Sequence, residues 1–321
     1  MVSIGTPDRI VGRFAALAAI LVVLTACATG PRPTSVSVQV SEDSAYITES
    51  LTASATVQPA GASQDVVWSS SDESVAVVAA DGTVTGVDVG TAVITATSAA
   101  NAGVSGSVTI EVLSPLAGRT ILYYVDDING TDVVKVALEQ AVSEQGATRI
   151  EAGFADFLDH MDDGPFLIVY TILDEGSLSA GHRDALLEWV EHGERLMFTH
   201  WNIDDLDAID VWAGLGAEPD GSENHRGELT VTETQLRVGL TSATVGLIDE
   251  GWHTDNIGLE VLETGTALAE YEDGTAAIVG GNSGRTAVVG FLNDTIDEAD
   301  GARLFLNVFY RLALAEDLGP L

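Results

Sequence analysis

Four residue pairs, polar but for one tryptophan, each follow an apolar run: Asp126-Asp127, Asp174-Glu175, His200-Trp201 and Asn293-Asp294. If those runs are neighbouring strands of one sheet, the pairs meet at its carboxyl edge, where open α/β sheets bind ligands. Carboxylates with an amide and an imidazole suit a hard cation, so calcium or magnesium is the cofactor this set would hold. No other cofactor is expected. An imidazole beside a carboxylate can equally act as a general base, which makes His200 with Asp126 or Asp294 the catalytic candidates. A plainer reading competes with both. The chain has 49 Asp and Glu residues, and Asp and Asn favour turns and helix caps through local hydrogen bonds.

Other candidates are weaker. Gly281-Asn282-Ser283-Gly284 lacks the spacing of a nucleophile elbow and reads as a hairpin turn. His160, His182, His192, His225 and His253 show no metal-binding spacing. Trp201, Trp212 and Trp252 flank the expected mouth and either stack on a sugar ring or pack in the core. There is no phosphate-binding glycine loop.

Positioning these residues requires a parallel sheet. Residues 120–125 (TILYYV) and 166–172 (FLIVYTI) are continuous apolar runs, as strands buried on both faces are. Residues 149–152, 195–199 and 286–292 read as further strands. Helices are expected over 131–145, with Val134, Leu138, Ala141 and Val142 inward, and over 179–192, with Leu186, Leu187 and Val190 inward. A last helix over 299–314 carries Leu304, Val308 and Leu312 on one face. Alternating strands and helices imply βαβ units. Residues 203–285 fit less well and read as β insertions at 229–231, 266–269 and 276–279.

Residues 35–113 have another rhythm. Short runs rich in Val, Thr and Ile at 35–40, 50–57, 66–70, 75–78, 83–87, 91–97 and 105–112 are separated by Gly, Asp, Ser and Pro. Many alternate with period two, as half-buried strands do. Ala92, Ile94 and Ala96 are expected inward, and Asp81-Gly82 marks a tight turn. Such spacing implies a β-sandwich.

The first residues read as an export signal. Arg9 and Arg13 precede an apolar run from Phe14 to Leu24, and Leu24-Thr25-Ala26-Cys27 closes it. The run is shorter than the roughly 20 residues of a membrane span. Cys27 is the only cysteine, which excludes an intramolecular disulfide. Residues 1–26 are read as the signal peptide and 27–34 as a tether. Losing the signal takes away one acid (Asp8) and two bases (Arg9, Arg13), moving the net charge from −36 to −37. Such a surface repels nucleic acid and anionic headgroups. Adaptation to a salty habitat accounts for it more simply than a dedicated cationic partner.

Three resemblances sharpen these expectations. The signal sequence resembles a bacterial lipobox, which implies lipidation at Cys27 and attachment to a membrane facing the periplasm or the cell exterior. Val67-Trp68-Ser69-Ser70-Ser71-Asp72, Ser74-Val75-Ala76, Asp81-Gly82-Thr83-Val84-Thr85-Gly86-Val87 and Gly90-Thr91-Ala92-Val93-Ile94-Thr95-Ala96-Thr97 together resemble the group 2 bacterial immunoglobulin-like domain. That resemblance makes Trp68 the core tryptophan and implies a spacer or adhesion module.

Residues 119–321 resemble the class I glutamine-amidotransferase-like fold through Leu173-Asp174-Glu175-Gly176, the stretch from Arg183 to Gly193, and Gly284-Arg285-Thr286-Ala287-Val288-Val289-Gly290-Phe291. The resemblance implies a flavodoxin-like α/β domain. Catalytic members of that fold carry a cysteine after the central strand; here His200-Trp201-Asn202 follows, so thiol-dependent amidotransferase activity is excluded. Ile121 to Asp127 also resembles the first strand of a response-regulator receiver, but Lys135, the only lysine, lies in the first expected helix rather than near the last strand.

The expectation is an exported, lipid-anchored surface protein without catalysis. An immunoglobulin-like stalk or adhesion module presents an α/β head that binds a cell-surface protein or a carbohydrate. The alternative is an extracytoplasmic hydrolase, with carbohydrate as a candidate substrate, using the strand-end His and Asp residues.

Overall fold

A computed structural model describes residues 30–126, 128, 130–173, 176–248 and 255–316. Cys27 and the signal residues lie outside the described residues, as do Asp127, Asp174, Glu175, Trp252 and His253. Among the described residues no helix is long and apolar enough to cross a membrane.

The first domain is built from β1 (Ser35–Val40), β2 (Ser44–Tyr46), β3 (Ser50–Gln58), β4 (Val66–Ser70), β5 (Ala76–Val78), β6 (Thr83–Gly86), β7 (Gly90–Ser98) and β8 (Ser105–Leu113). They form two four-stranded sheets, in the orders β1-β3-β6-β5 and β2-β8-β7-β4. Period-two alternation sends Leu51, Ala53, Ala92, Ile94, Ala96, Ile110 and Val112 inward, each at most 5% exposed. Asp81-Gly82 turns β5 into β6, with Gly82 at φ +89°. Trp68 packs against the sandwich core, as expected. It lies on the edge strand β4 and is only half-buried, packed over the position where Gly82 has no side chain.

The second domain runs β9 (Thr120–Val125), α1 (Val133–Ser143), β10 (Thr148–Ala152), α2 (Phe157–Met161), β11 (Leu167–Ile172), α3 (Ala180–Glu191), β12 (Arg195–His200) and α4 (Leu206–Gly214). Then come β13 (Ala217–His225), β14 (Glu228–Val231), β15 (Thr244–Gly246), β16 (Asp255–Val261), β17 (Thr266–Tyr271), β18 (Ala276–Gly281), β19 (Thr286–Val289) and α5 (Glu298–Leu314). The five parallel strands stand in the order β10-β9-β11-β12-β19. That is the flavodoxin-like 2-1-3-4-5 order. An antiparallel extension beyond β19 completes an eleven-stranded sheet. The fold class is therefore the expected one: an immunoglobulin-like sandwich followed by a flavodoxin-like α/β domain.

Every residue of β11 is buried, as its apolar run required, and so is every residue of β12, although that strand carries Arg195, Thr199 and His200. The long helices have the expected inward faces, with Leu138, Ala141, Leu186, Val190, Leu304, Val308 and Leu312 all below 5% exposed. Burying each Leu or Val side chain stabilises the fold by about 1.5–3 kcal/mol. Val142 does not join them and is 42% exposed. Gly146 (φ +74°) and Gly193 (φ +86°) end α1 and α3 in the left-handed conformation that a side chain would strain.

The domains are joined by residues 114–119, and Leu116 in this short link is fully buried. One apolar cluster runs from Ile47 and Ile110 of the sandwich through Leu116 to Ile121, Leu138 and Phe305. Among the described residues two hydrogen bonds cross the junction. Arg303 Nη2 donates to the Val87 carbonyl (2.8 Å) and Gln145 Nε2 to Asp88 Oδ1 (3.0 Å).

Candidate ligand site at the strand ends

Side chains alternate across a strand, so Tyr124, Tyr170 and Phe198 share one face of three adjacent strands. Tyr124 stacks on Tyr170 at 4.4 Å, and Tyr170 lies 6.0 Å from Phe198. Continuing two residues along the outer strands brings Asp126 and His200 to the carboxyl edge on this same face. The sheet does bring these two candidates to one side.

His200 is 1% exposed. Its Nδ1 accepts the Asn202 N–H at 3.0 Å, which places the ring proton on Nε2. That nitrogen lies 3.1 Å from Asp205 Oδ2, out of line for a good hydrogen bond. Burial pushes the imidazole below the ordinary histidine range, and the charges of Asp205 and Asp126 offset this only in part. The ring is therefore neutral at pH 7.

Both carboxylates work on the backbone. Asp205 caps α4, its Oδ1 accepting from Asp207 N (3.0 Å) and Ala208 N (3.3 Å), while Oδ2 accepts from Leu178 N (3.0 Å). Asp126 accepts from Leu173 N (2.7 Å) and Gly176 N (3.2 Å). A Cβ at Gly176 would stand 2.6 Å from Asp126 Oδ2, so this approach requires glycine. Trp201 closes the same loop, its indole N–H donating to the Gly176 carbonyl at 3.2 Å. Asp126, Trp201 and Asp205 thus hold Leu173, Gly176 and Leu178.

Asn293 serves a second anchor, at the start of α1. Its Nδ2 donates to Tyr123 Oη (3.1 Å) and Asp132 Oδ1 (3.1 Å), and its carbonyl accepts from Val133 N. Asp132 caps α1 through Lys135 N and receives the Tyr123 hydroxyl at 2.5 Å. Burial, then the Asp132 charge, pushes the Tyr123 phenol upward. Asp294 is half-buried with its Cβ against Gly130. The carboxylate paired with the His200 ring is Asp205, and the charge of Asp126 also acts on that ring.

Among the described residues no three His, Cys, Asp or Glu side chains are grouped to hold a metal ion. The expected calcium or magnesium set includes Asp127, Asp174 and Glu175, which lie outside that range. Trp212 is core, 1% exposed. Gly281–Gly284 is the hairpin turn between the antiparallel β18 and β19. Sequence reasoning missed Asp132, Asp205 and Tyr123. It also missed the buried pair in which Tyr170 Oη stands 2.7 Å from His182 Nδ1. The two aspartates had a usable signal, each lying just before a helical apolar pattern as N-caps do.

Residues 33–114 match the bacterial Ig-like domain (group 2). This part of the chain is an immunoglobulin-like domain of that group. A stretch of 51 residues is 67% identical to an alpha-L-arabinofuranosidase of Bifidobacterium longum. The match covers 16% of this chain and spans only 5% of the length of that relative. Among solved structures, similarity extends to a putative GMP synthase subunit from Thermoplasma acidophilum, at 12% identity and TM-score 0.40. It covers 60% of this chain and 94% of that one. The glutaminase domain of Trypanosoma brucei CTPS is similar at 12% identity and TM-score 0.39, covering 63% of this chain and 96% of that one. The family named from the sequence for residues 35–113 recurs in the matching family model.

Proposed function

We propose that this is an exported, lipid-anchored surface protein whose α/β domain binds a partner without turning it over. The observation that carries the reading is how the strand-end residues are used. The imidazole of His200 accepts a backbone N–H, and the carboxylates of Asp126 and Asp205 between them accept five. Groups committed in this way shape a surface and hold a loop; a general base needs an acceptor aimed at the proton it removes. The immunoglobulin-like module and the lipobox-like residues around Cys27 support an extracytoplasmic place. The buried link supports a head docked on its module rather than a bead on a flexible stalk. The 51-residue likeness to an arabinofuranosidase is the one observation favouring a carbohydrate-acting enzyme. It is shorter than either domain and favours a shared accessory module over a shared active site.

Expressed as the full chain in a bacterium, the protein is expected in the membrane fraction, and Cys27→Ser in the soluble fraction. The purified protein is expected to leave a panel of aryl glycosides, the α-L-arabinofuranoside included, unhydrolysed. Hydrolysis that disappears in His200→Ala would replace this reading with the hydrolase.

A further inference from the structure

The helices of one face leave a pocket remote from the strand ends. It lies between α2 and the C-terminal half of α3, with a volume of about 470 Å³. Leu158, Met161 and Trp189 supply its apolar lining, and Leu158 is 40% exposed. The Trp189 indole N–H is spent on the Arg195 carbonyl at 3.1 Å, so the ring meets an occupant as an apolar, electron-rich surface. Four carboxylates line it too, Asp159, Asp162, Glu188 and Glu194, and Ala185 and His192 complete the lining, the His192 ring standing 2.7 Å from the Glu188 backbone carbonyl. None of the four has a basic partner among the described residues.

This combination selects its occupant. An apolar lining without charge would suit an aliphatic group, and carboxylates without the lining would suit hydrated metal ions. Together they match a cation on an apolar stem, in which methylenes pack on Leu158 and Met161 while the charge reaches the acids. An aromatic ring adds cation–π attraction. Lysine and arginine side chains have this form. The net charge of −36 steers basic partners toward the whole molecule; the pocket supplies a place where one residue fits.

We propose that this pocket docks a lysine or arginine side chain from a basic segment of a partner protein. The proposal deepens the reading of the α/β domain as a partner-binding head and rests on it. The test is fluorescence anisotropy of a labelled tri-arginine peptide titrated with the full chain at physiological salt. Asp159→Asn/Asp162→Asn/Glu188→Gln is expected to weaken binding about tenfold. Glu42→Gln/Asp43→Asn/Glu73→Gln removes as much charge from sandwich turns and is expected to change it less than about twofold. Ala185→Leu fills the pocket without altering charge and is expected to weaken binding about fivefold, with thermal melting confirming that each variant is folded.

Equal losses in both triple variants, full binding by Ala185→Leu, or no binding by the parent protein would each overturn the proposal. So would spermidine binding the pocket more tightly than the peptide, which would make it a small-amine site. Fractionation and glycoside turnover are read separately, so failure here is distinguishable from failure of the broader reading.

Discussion

Asp205 Oδ2 lies 3.1 Å from His200 Nε2 while accepting the Leu178 N–H at 3.0 Å. One carboxylate oxygen therefore links the end of β12, the loop before α3 and the start of α4. Asp205→Ala removes the α4 cap and the Leu178 acceptor together. Losing the cap alone costs about 1–2 kcal/mol, and an unsatisfied buried N–H adds about 1–3 kcal/mol. Urea unfolding of the purified protein should register the sum as a lowered midpoint with an unchanged slope.

The buried imidazoles set an acid limit on stability. His200 and His182 both have folded-state values below the ordinary 6.5, chiefly through burial. Below pH 6.5 the unfolded chain takes up protons that the folded one refuses, so stability falls as pH drops from 6.5 toward the folded values. Above 6.5 both states are neutral and the effect vanishes. The urea midpoint should therefore decline between pH 7 and pH 5.5, and His182→Gln or His200→Gln should flatten that decline. An unchanged slope in both variants would assign the sensitivity to the carboxylates.

Tyr123 gives its hydroxyl hydrogen to Asp132 and accepts from Asn293. Tyr123→Phe leaves both partners short of a bond at nearly constant volume. The expected cost is about 1–3 kcal/mol. Hydrogen exchange should show the loss first in the amides of Val133 and Lys135, at the start of α1.

Arg303 bonds the carbonyls of Val238 and Val87, one in each domain. Arg303→Met keeps the stem and removes both bonds, with an expected loss of about 1–3 kcal/mol. Wild-type protein should melt in one calorimetric transition, because the two cores are continuous. The variant should broaden or split it. Two separate wild-type transitions would mean that the junction does not couple the domains.

Legibility in the sequence followed the strength of the burial signal. TILYYV and FLIVYTI announced buried parallel strands because both faces are covered. The sandwich was legible because its turns and alternation are local. The segment 203–285 was not: β13 reads AEPDGSENH, polar and largely exposed, and it is a strand only because β16 pairs with it across the sheet. α4 spans nine residues, too few for a clear helical period, so the helix itself was not foreseen, although core packing of Trp212 was one of the two uses expected. At the site, the placement of Asp126 and His200 followed from strand ends and was correct. Their partners were hidden because they are mostly backbone amides, which every residue carries. The carboxylate that meets His200 comes from a helix cap five residues later, a local signal unrelated to cross-strand pairing.

The buried link at Leu116 and the hydrogen bond from Arg303 to Val87 also fix a direction. A head free to tumble on its neighbour surrenders that freedom whenever it binds, and the surrendered entropy weakens the complex. Here the orientation is settled during folding. Each molecule offers its acid-lined pocket at one constant angle to the sandwich, so whatever docks there does not first have to fix the two domains against each other.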